Sequence, residues 1–370
     1  MSLSAALRER RVIICCGAGG VGKTTVSAAL ALAGARLGRR VLVITIDPSK
    51  RLAEALGVSR NAPEPVELSP ERLAVLGVSP PGTLSAWMLD PVEVSDRTVR
   101  AFARHPDEAG RLLDNPFYQG ITRIAAGMQE YTAVEALYTF VQAGTYDLVV
   151  LDTPPSRNAL RFLDTPERAA AFLDPRIFAL FSPTDGKGWV RRMAGNVVEK
   201  VLDVAFGVET RNSIQEFFGL FGQLLHHLNA NQAALKAFLR SDAVGFVLVT
   251  SPERAALEEA AAFEHRARER LNMPILGRVL NQSLAADPPG PDPETLAGEP
   301  AAREHPEALA ALRHLAALEQ RVAASHAEVA RTLIEATHGP VWVLPKLGDA
   351  MRAQDPLAAL GPLAERLMLR

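Results

Sequence analysis

Residues 12–25 decide the fold, and they read Val-Ile-Ile-Cys-Cys-Gly-Ala-Gly-Gly-Val-Gly-Lys-Thr-Thr. A short β-branched run leads into the pattern Gly-x-x-x-x-Gly-Lys-Thr at 17–24, and helix-forming residues follow at once. A strand, a glycine-rich loop and a helix in this order are the context in which the pattern indicates a phosphate-binding loop. Glycines allow backbone N–H groups to wrap a phosphate chain, and the new helix points its positive end at the anion.

Two side chains of this loop have specific tasks in the prediction. The Lys23 ammonium reaches the terminal phosphates, and the Thr24 hydroxyl can ligate Mg²⁺. The sequence therefore predicts a site for a nucleoside triphosphate, with contacts from the loop and the first helical turn: Gly17, Gly19, Gly20, Val21, Gly22, Lys23, Thr24 and Thr25.

The composition excludes several other classes of protein. The 370 residues carry 40 Lys and Arg against 42 Asp and Glu, so no basic excess indicates a nucleic-acid partner. The two cysteines, Cys15 and Cys16, are neighbours on a predicted strand and point to opposite faces, so they form no disulfide framework. Residues 1–11 lack the apolar core of a secretory signal, and no apolar run approaches the roughly 18 residues of a membrane span. We therefore expect a cytoplasmic protein.

Alternating strands and helices predict an α/β protein built on a mostly parallel sheet covered by helices, the fold of a P-loop NTPase. We expect one ATPase domain over 1–370, with a helical subdomain inserted at about 85–143 and 166–240. A third helical stretch covers 300–336, and a loop rich in proline and acid covers about 284–305. The predicted strands are short apolar runs at 11–16, 41–46, 147–151, 244–250, 275–280 and 341–344, and the first helix is about 23–37.

The insertion at 166–240 is rich in phenylalanine. Within it, one apolar stripe follows helical spacing and comprises Ile214, Phe217, Phe218, Phe221, Leu224, Leu225 and Leu228. Packing of helix on helix and an apolar groove for a hydrophobic client require the same stripe, so the sequence leaves both interpretations open.

Three polar residues at predicted strand ends fit an ATPase site. Asp47 follows the strand beside the phosphate loop, where a carboxylate orients water for attack on the γ-phosphate; an Asp that caps the next helix is the alternative. Asp152 ends an apolar strand in the Walker-B manner and is predicted to hold Mg²⁺ through a water. Asn281 ends a late strand, and its amide suits the adenine N6/N7 edge, which alone is a weak signal.

Four segments together resemble the arsenite-pump ATPase family, which includes the ATPases that target tail-anchored membrane proteins. They are residues 17–25, 45–56, 152–163 and 279–282, and they resemble the family's P-loop, switch I, switch II and adenine motifs in the family's order. The resemblance implies a dimer that opens and closes with the ATP cycle, a water-activating Asp47, a Mg²⁺-site Asp152 and an adenine-reading Asn281. The family's ribose contact remains open between Ser251 and Glu253.

Departures from the family pattern narrow the function. Members of the deviant P-loop type carry a lysine that reaches the partner's ATP, whereas this chain has Ala18. Lys50, Arg51 or Arg157, or an unlike subunit, would have to supply that cation. No CxxC lies in 283–305, as in bacterial-type members, so we predict no zinc, and without further cysteines an arsenite pump is disfavoured.

The leading prediction is a Mg²⁺-dependent ATPase, a homodimer or a heterodimer with a related ATPase subunit. Its nucleotide cycle would open and close the helical subdomain to handle a hydrophobic client or a membrane-protein partner. The alternative is a nucleotide-gated regulatory protein with slow hydrolysis.

Overall fold

The computed structural model describes residues 2–46, 56, 62, 64–103, 105–124, 128–153, 208–269, 273–286, 293–297, 304–337, 339–347 and 359–369. The chain divides into two compact units, which we call the sheet unit and the helical unit. The sheet unit comprises Met1–Met88, Gly144–Ala159 and Asp242–Arg370, and the helical unit comprises Leu89–Ala143 and Leu160–Ser241.

An eight-stranded sheet forms the centre of the sheet unit. Its strands run β3–β4–β2–β5–β1–β6–β7–β8 across the sheet, and every pair is parallel except β3 with β4. The mostly parallel P-loop NTPase fold is thereby confirmed. The strands are β1 Val12–Gly17, β2 Arg40–Thr45, β3 Val66–Glu67, β4 Thr83–Met88, β5 Leu148–Asp152, β6 Val244–Thr250, β7 Ile275–Leu280 and β8 Val341–Val343.

Twelve α-helices lie in the described part of the chain, and proline stands at the first position of several of them, where its missing N–H costs nothing. They are α1 Leu3–Glu9, α2 Lys23–Arg36, α3 Pro70–Val75, α4 Pro91–Phe102, α5 Pro106–Asp114, α6 Pro116–Ile124, α7 Met128–Ala143, α8 Val208–Leu239, α9 Arg254–Glu269, α10 Pro293–Leu296, α11 Pro306–Ala336 and α12 Leu360–Met368.

One predicted boundary was wrong. The sequence suggested helix from residue 85, but Thr83–Met88 form β4, which pairs in parallel with β2. Ser85 and Trp87 are both buried in this strand. A helix-start signal was present, because Asp90 is the N-terminal cap of α4 and Pro91 is its first residue, and both come after β4 has ended at Met88. The two-residue strand β3 was also missed.

Helix α2 is buried on nearly all sides, which explains its small residues. Each residue from Val26 to Ala33 is fully shielded from solvent. The helix packs against β1, β2 and β5 on one side and against α12 on the other. A helix that is apolar all round belongs in a core, and alanine permits both neighbours to approach closely.

The helical unit contains α4–α8. Helix α8 packs against α4, α5, α6 and α7, and it buries Ile214, Phe217, Leu235 and Leu239. Two members of the predicted apolar stripe, Ile214 and Phe217, are therefore core residues, with side chains 7% and 2% exposed. For these two residues the packing interpretation holds. Phe172, Phe178, Phe181 and Phe206 lie outside the described residues.

The acidic, proline-rich stretch 284–305 is described only in part. It begins with a 3-10 turn at Leu284–Ala286 and contains the four-residue helix α10. The 31-residue helix α11 follows, and it begins at Pro306, later than predicted. Across the part of the chain that the structure describes, no helix is both long and apolar enough to cross a membrane.

Candidate nucleotide-binding site

The glycine-rich loop lies where the sequence predicts it. Strand β1 ends at Gly17, and α2 begins at Lys23 with Gly22 as its N-terminal cap. Gly20 and Gly22 have φ angles of 82° and 85°, in the left-handed region that favours glycine. The loop therefore runs into the positive end of a 14-residue buried helix.

Glycine at 17 and 22 is required by close approach as well. A Cβ atom added at residue 17 would collide with the carbonyl oxygen of Val249 on the neighbouring strand β6. One added at residue 22 would collide with the amide nitrogen of Asn281. The loop therefore packs against the end of β6 and against the residue that follows β7, and neither contact leaves room for a methyl group.

The Lys23 side chain folds back over the loop. Its ammonium group donates a hydrogen bond of 2.8 Å to the carbonyl oxygen of Ala18, and the residue is only 7% exposed. The positive charge thus lies directly at the loop whose N–H groups are predicted to bind phosphate. This is the position from which it would reach the terminal phosphates.

Two hydroxyl groups converge on one carboxylate beside the loop. Thr24 Oγ1 donates to Asp152 Oδ2 at 2.7 Å, and Thr45 Oγ1 donates to the same oxygen at 2.9 Å. Strand register explains the meeting, because Thr45 and Asp152 are direct partners at the carboxyl ends of β2 and β5. Asp152 is 1% exposed.

This oxygen cluster fits a magnesium site. Magnesium prefers hard oxygen ligands and is held in nucleotide sites by one or two protein oxygens together with phosphate. Thr24 and Asp152, the two predicted ligands, are brought together at hydrogen-bond distance. Thr45 is a third oxygen that the sequence analysis did not assign. Its place near the carboxyl end of a predicted strand was the signal in the sequence that could have pointed to it.

The two cysteines are buried strand residues, as the sequence indicated. Burial raises the pKa of both thiols, that of Cys16 to about 12, so they remain protonated. The Cys15 carbonyl oxygen accepts a 2.7 Å hydrogen bond from the Thr153 hydroxyl. This bond fixes the first residue after Asp152 against β1.

Asn281 and its neighbour Gln282 contact the phosphate loop. The Asn281 side-chain amide donates to the Val21 carbonyl at 2.8 Å, and the Gln282 amide donates to the Gly20 carbonyl at 3.0 Å. The sequence placed Asn281 at the adenine, and that role stays a prediction. The loop contacts were missed, because they depend on how far β7 extends past its neighbours at the carboxyl edge.

The remaining predicted residues are placed in part. Gly19 and Gly20 are exposed in the loop, and Thr25 lies in the first turn of α2. Ser251 is buried and Glu253 is exposed just beyond β6, so the ribose contact stays open between them. Asp47, Lys50, Arg51 and Arg157 lie outside the described residues. Within the described ranges, no three His, Cys, Asp or Glu side chains form a metal-binding group; the absence of zinc remains a prediction.

A phosphate loop followed by Lys-Thr, with a buried carboxylate at the end of a neighbouring parallel strand, is the construction of P-loop nucleoside triphosphatases. The sheet unit is of that class. A family model described as anion-transporting ATPase (ArsA_ATPase) matches residues 10–290, which is most of the sequence. The chain belongs to this family, and the resemblance noted from its motifs is confirmed.

Three curated relatives show how far the similarity extends. A protein of Aquifex aeolicus named as an arsenical pump-driving ATPase is 26% identical over 259 residues, 68% of this chain and 58% of that protein. ATPase GET3 of Malassezia globosa is 32% identical over 154 residues, 42% of each chain. ATPase ASNA1 homolog 1 of Paramecium tetraurelia is 28% identical over 151 residues, 40% of this chain and 42% of that protein. The chain thus spans 42–58% of the length of these relatives.

Proposed function

We propose that this protein binds Mg-ATP at the loop 17–24 and hydrolyses it to ADP and phosphate. The observation that carries the proposal is the convergence of Thr24 and Thr45 on Asp152, beside a lysine that already lies over the phosphate loop. A glycine turn that merely joined a strand to a helix would need neither the buried carboxylate nor the buried ammonium group, both of which are costly to bury.

The residues divide the chemistry as follows. The loop N–H groups and Lys23 bind the phosphates and offset the charge that builds up as the γ-phosphate leaves. Thr24 and Asp152 would hold Mg²⁺, which when bound neutralises charge on the phosphate oxygens. Asp47 lies two residues after Thr45 in the sequence, and we assign it the orientation of the attacking water.

Beyond hydrolysis, we propose that the protein works as a dimer. The family resemblance and a single P-loop per chain favour a homodimer, or a heterodimer with a related ATPase subunit. In this proposal, ATP binding and hydrolysis open and close the helical unit to handle a hydrophobic protein client or a membrane partner. Two relatives are named ATPase GET3 and ATPase ASNA1 homolog 1, which supports the ATPase part of the proposal.

A second function is favoured by one residue. Ala18 occupies the position at which many family members have a lysine for the partner's nucleotide, and its side chain is 5% exposed. Without that cation hydrolysis would be slower, and the protein would act as a nucleotide-gated regulator whose bound state matters more than its turnover.

Mg-ATP affinity and steady-state turnover test both functions. We expect Lys23→Ala to lower the affinity for Mg-ATP by about 100-fold or more, because a buried charged partner of the phosphates is lost. Asp47→Asn should preserve binding and reduce turnover by about 100-fold or more. Lys236→Ala, in the helical unit, is the matched control and should change neither quantity.

Three results would change the assignment. Unaltered binding in Lys23→Ala would contradict the nucleotide site itself. Equal turnover in Asp47→Asn and the parent would remove Asp47 from catalysis. Tight binding with hardly measurable turnover in the parent would favour the gated regulator, and light scattering with ADP or a non-hydrolysable ATP analogue would then show whether nucleotide controls assembly.

A further inference from the structure

The two residues that follow β7 hold the phosphate loop through side-chain hydrogen bonds. Consecutive side chains, Asn281 and Gln282, donate hydrogen bonds to the carbonyl groups of consecutive loop residues, Val21 and Gly20. We propose that these two amides are positioning residues that shape the loop for phosphate before any nucleotide arrives. The inference rests on the proposed function, because it assigns a role within the same site.

Peptide geometry gives the reason. In a planar trans peptide, the carbonyl of one residue and the N–H of the next point in opposite directions. Fixing the Gly20 carbonyl toward Gln282 therefore turns the Val21 N–H away from that segment, and fixing the Val21 carbonyl toward Asn281 does the same for the Gly22 N–H. A loop that binds phosphate needs its N–H groups aimed together at the anion. The hydrogen bonds to the Gly20 and Val21 carbonyl groups hold two of these N–H groups, those of Val21 and Gly22, in place.

The fit between Asn281 and the loop is close. The Asn281 side chain is 4% exposed, and its amide nitrogen occupies the space that a side chain at Gly22 would need. Asn281 is in turn tied to the sheet, since its backbone N–H donates to the Thr250 carbonyl at 2.8 Å. The loop is thus attached through Asn281 to the carboxyl end of β6.

The backbone of Gln282 provides an independent observation. Its φ angle is 61°, and among the residues that the structure describes it is the single non-glycine residue with a positive φ. Such a conformation costs free energy in an L-residue and persists where the surroundings require it. Here the neighbours on both sides are anchored, because Ser283 N–H donates to the Leu344 carbonyl at 3.0 Å. A glycine would adopt this backbone freely, yet the position carries a side chain that contacts the loop.

Loop positioning is compatible with the predicted adenine contact of Asn281. A side-chain amide has two N–H donors and one carbonyl acceptor. One N–H is used on the Val21 carbonyl, which leaves the other donor and the acceptor for a base edge. Because Asn281 would serve both the loop and the base, whereas Gln282 is assigned to the loop alone, Gln282 offers the cleaner test.

The test uses Gln282→Gly in the full chain, because glycine keeps the positive φ and removes only the side chain. Three quantities are measured: competition of inorganic tripolyphosphate against a fluorescent ATP analogue, KM and kcat for ATP, and hydrogen exchange of the Val21 and Gly22 amides without nucleotide. Gln119→Ala in the helical unit is the matched control, since its amide also donates to a backbone carbonyl, that of Leu113 at 3.1 Å.

We expect tripolyphosphate and ATP to lose affinity by the same factor, about three- to tenfold, which is the range for one hydrogen bond. KM should rise by that factor while kcat stays within about twofold, because bound phosphates order the loop themselves once they arrive. The two amides should exchange faster, and the melting temperature should be unchanged or higher because glycine relieves the backbone strain. The control should leave both affinities, KM, kcat and the exchange of the two amides as in the parent.

The inference is overturned if tripolyphosphate affinity and amide exchange in Gln282→Gly match the parent. It is also overturned if ATP affinity falls while tripolyphosphate affinity does not, since that result assigns the segment to the base alone. A parent that binds no Mg-ATP would defeat the proposed function instead. The exchange measurement would then still decide whether Gln282 shapes the loop.

Discussion

The two units of this protein bury polar groups for different purposes. In the sheet unit, strands β1 and β6 are buried along their whole length. The buried polar side chains Thr45, Asp152 and Asn281 stand at or just beyond the carboxyl ends of β2, β5 and β7. In the helical unit, buried polar contacts join one helix to another. Tyr118 donates to Asp96 at 2.9 Å, and the Asn115 amide donates to the Ser213 carbonyl at 2.9 Å.

This difference separates chemistry from packing. The polar groups of the sheet unit gather at one edge, where a ligand can meet several of them. In the described part of the helical unit, the two contacts above fix α4 to α6 and the start of α6 to α8, and burial raises the pKa of Asp96. Among the described residues, the functional motif lies in the sheet unit, and the polar contacts of the helical unit hold its helices together.

The largest expected effect tests whether the phenylalanine stripe is core. Phe217→Ala should lower the free energy of unfolding by about 3–5 kcal/mol, because Phe217 is buried and its removal leaves a cavity. Phe218→Ala is the matched control, because Phe218 is half-buried and its ring centroid lies 5.2 Å from that of Phe217 in an edge-to-face contact. This variant should lose about half as much free energy of unfolding. Chemical denaturation measures both. Equal, small losses would return Phe217 to the groove interpretation.

The next effect concerns glycine in the sheet unit. Gly17→Ala should destabilise the protein by about 1–3 kcal/mol, since the new methyl group meets the Val249 carbonyl and the backbone has to shift. Gly20→Ala meets no atom within 4 Å and pays only for its positive φ, about 1–2 kcal/mol. Thermal unfolding compares the two. A harmless Gly17→Ala would show that β1 and β6 are not so closely paired at this edge.

Glycine in the helical unit should behave in the opposite way. Gly110 in α5 and Gly120 in α6 have open space around them and no positive φ. Alanine at either position should therefore raise the free energy of unfolding by about 0.5–1 kcal/mol, through helix propensity and a less flexible unfolded chain. Denaturant titration of each variant measures this gain. A loss of stability at either position would contradict the open space around these two glycines.

The smallest effect is a pH dependence of the hydrogen bond between Leu284 and His326, close in the chain to Gln282. His326 Nδ1 on α11 accepts a 3.0 Å hydrogen bond from the Leu284 N–H, and burial, with a further contribution from Lys346, lowers the pKa of this histidine. A lowered folded pKa means that the folded protein binds fewer protons than the unfolded chain. The contribution of His326 to the free energy of unfolding is therefore complete above about pH 6.5, the pKa of the unfolded chain. It is lost as the pH falls through the folded pKa.

Hydrogen exchange of the Leu284 amide between pH 8 and pH 5 measures this effect. We expect exchange, corrected for its intrinsic pH dependence, to become faster in acid by an amount that corresponds to about 1 kcal/mol or less. His326→Gln keeps an acceptor at every pH and should remove the dependence. The same profile in His326→Gln and the parent would assign the change to another group.

Much of the sheet unit follows from sequence, for physical reasons. Parallel strands buried on both faces appear as continuous apolar runs, and the loop glycines and Lys23 can be read from spacing alone. Strand β4 was missed although Asp90 and Pro91 mark the start of α4 after it, and β3 was missed because a two-residue antiparallel pair has no periodicity. Thr45 and Gln282 were missed because their partners are set by strand register and strand length, which the sequence does not display.

The hydrogen bonds of Lys23 and Thr24 have a kinetic consequence. Lys23 donates a hydrogen bond to the Ala18 carbonyl and Thr24 donates one to Asp152, so both polar groups already have a partner within the protein. At the proposed site, an arriving nucleotide would displace these two hydrogen bonds, and both could form again after it leaves. If the proposed function holds, these internal hydrogen bonds would offset part of the free energy of nucleotide binding, and product release would be faster than from a site without them.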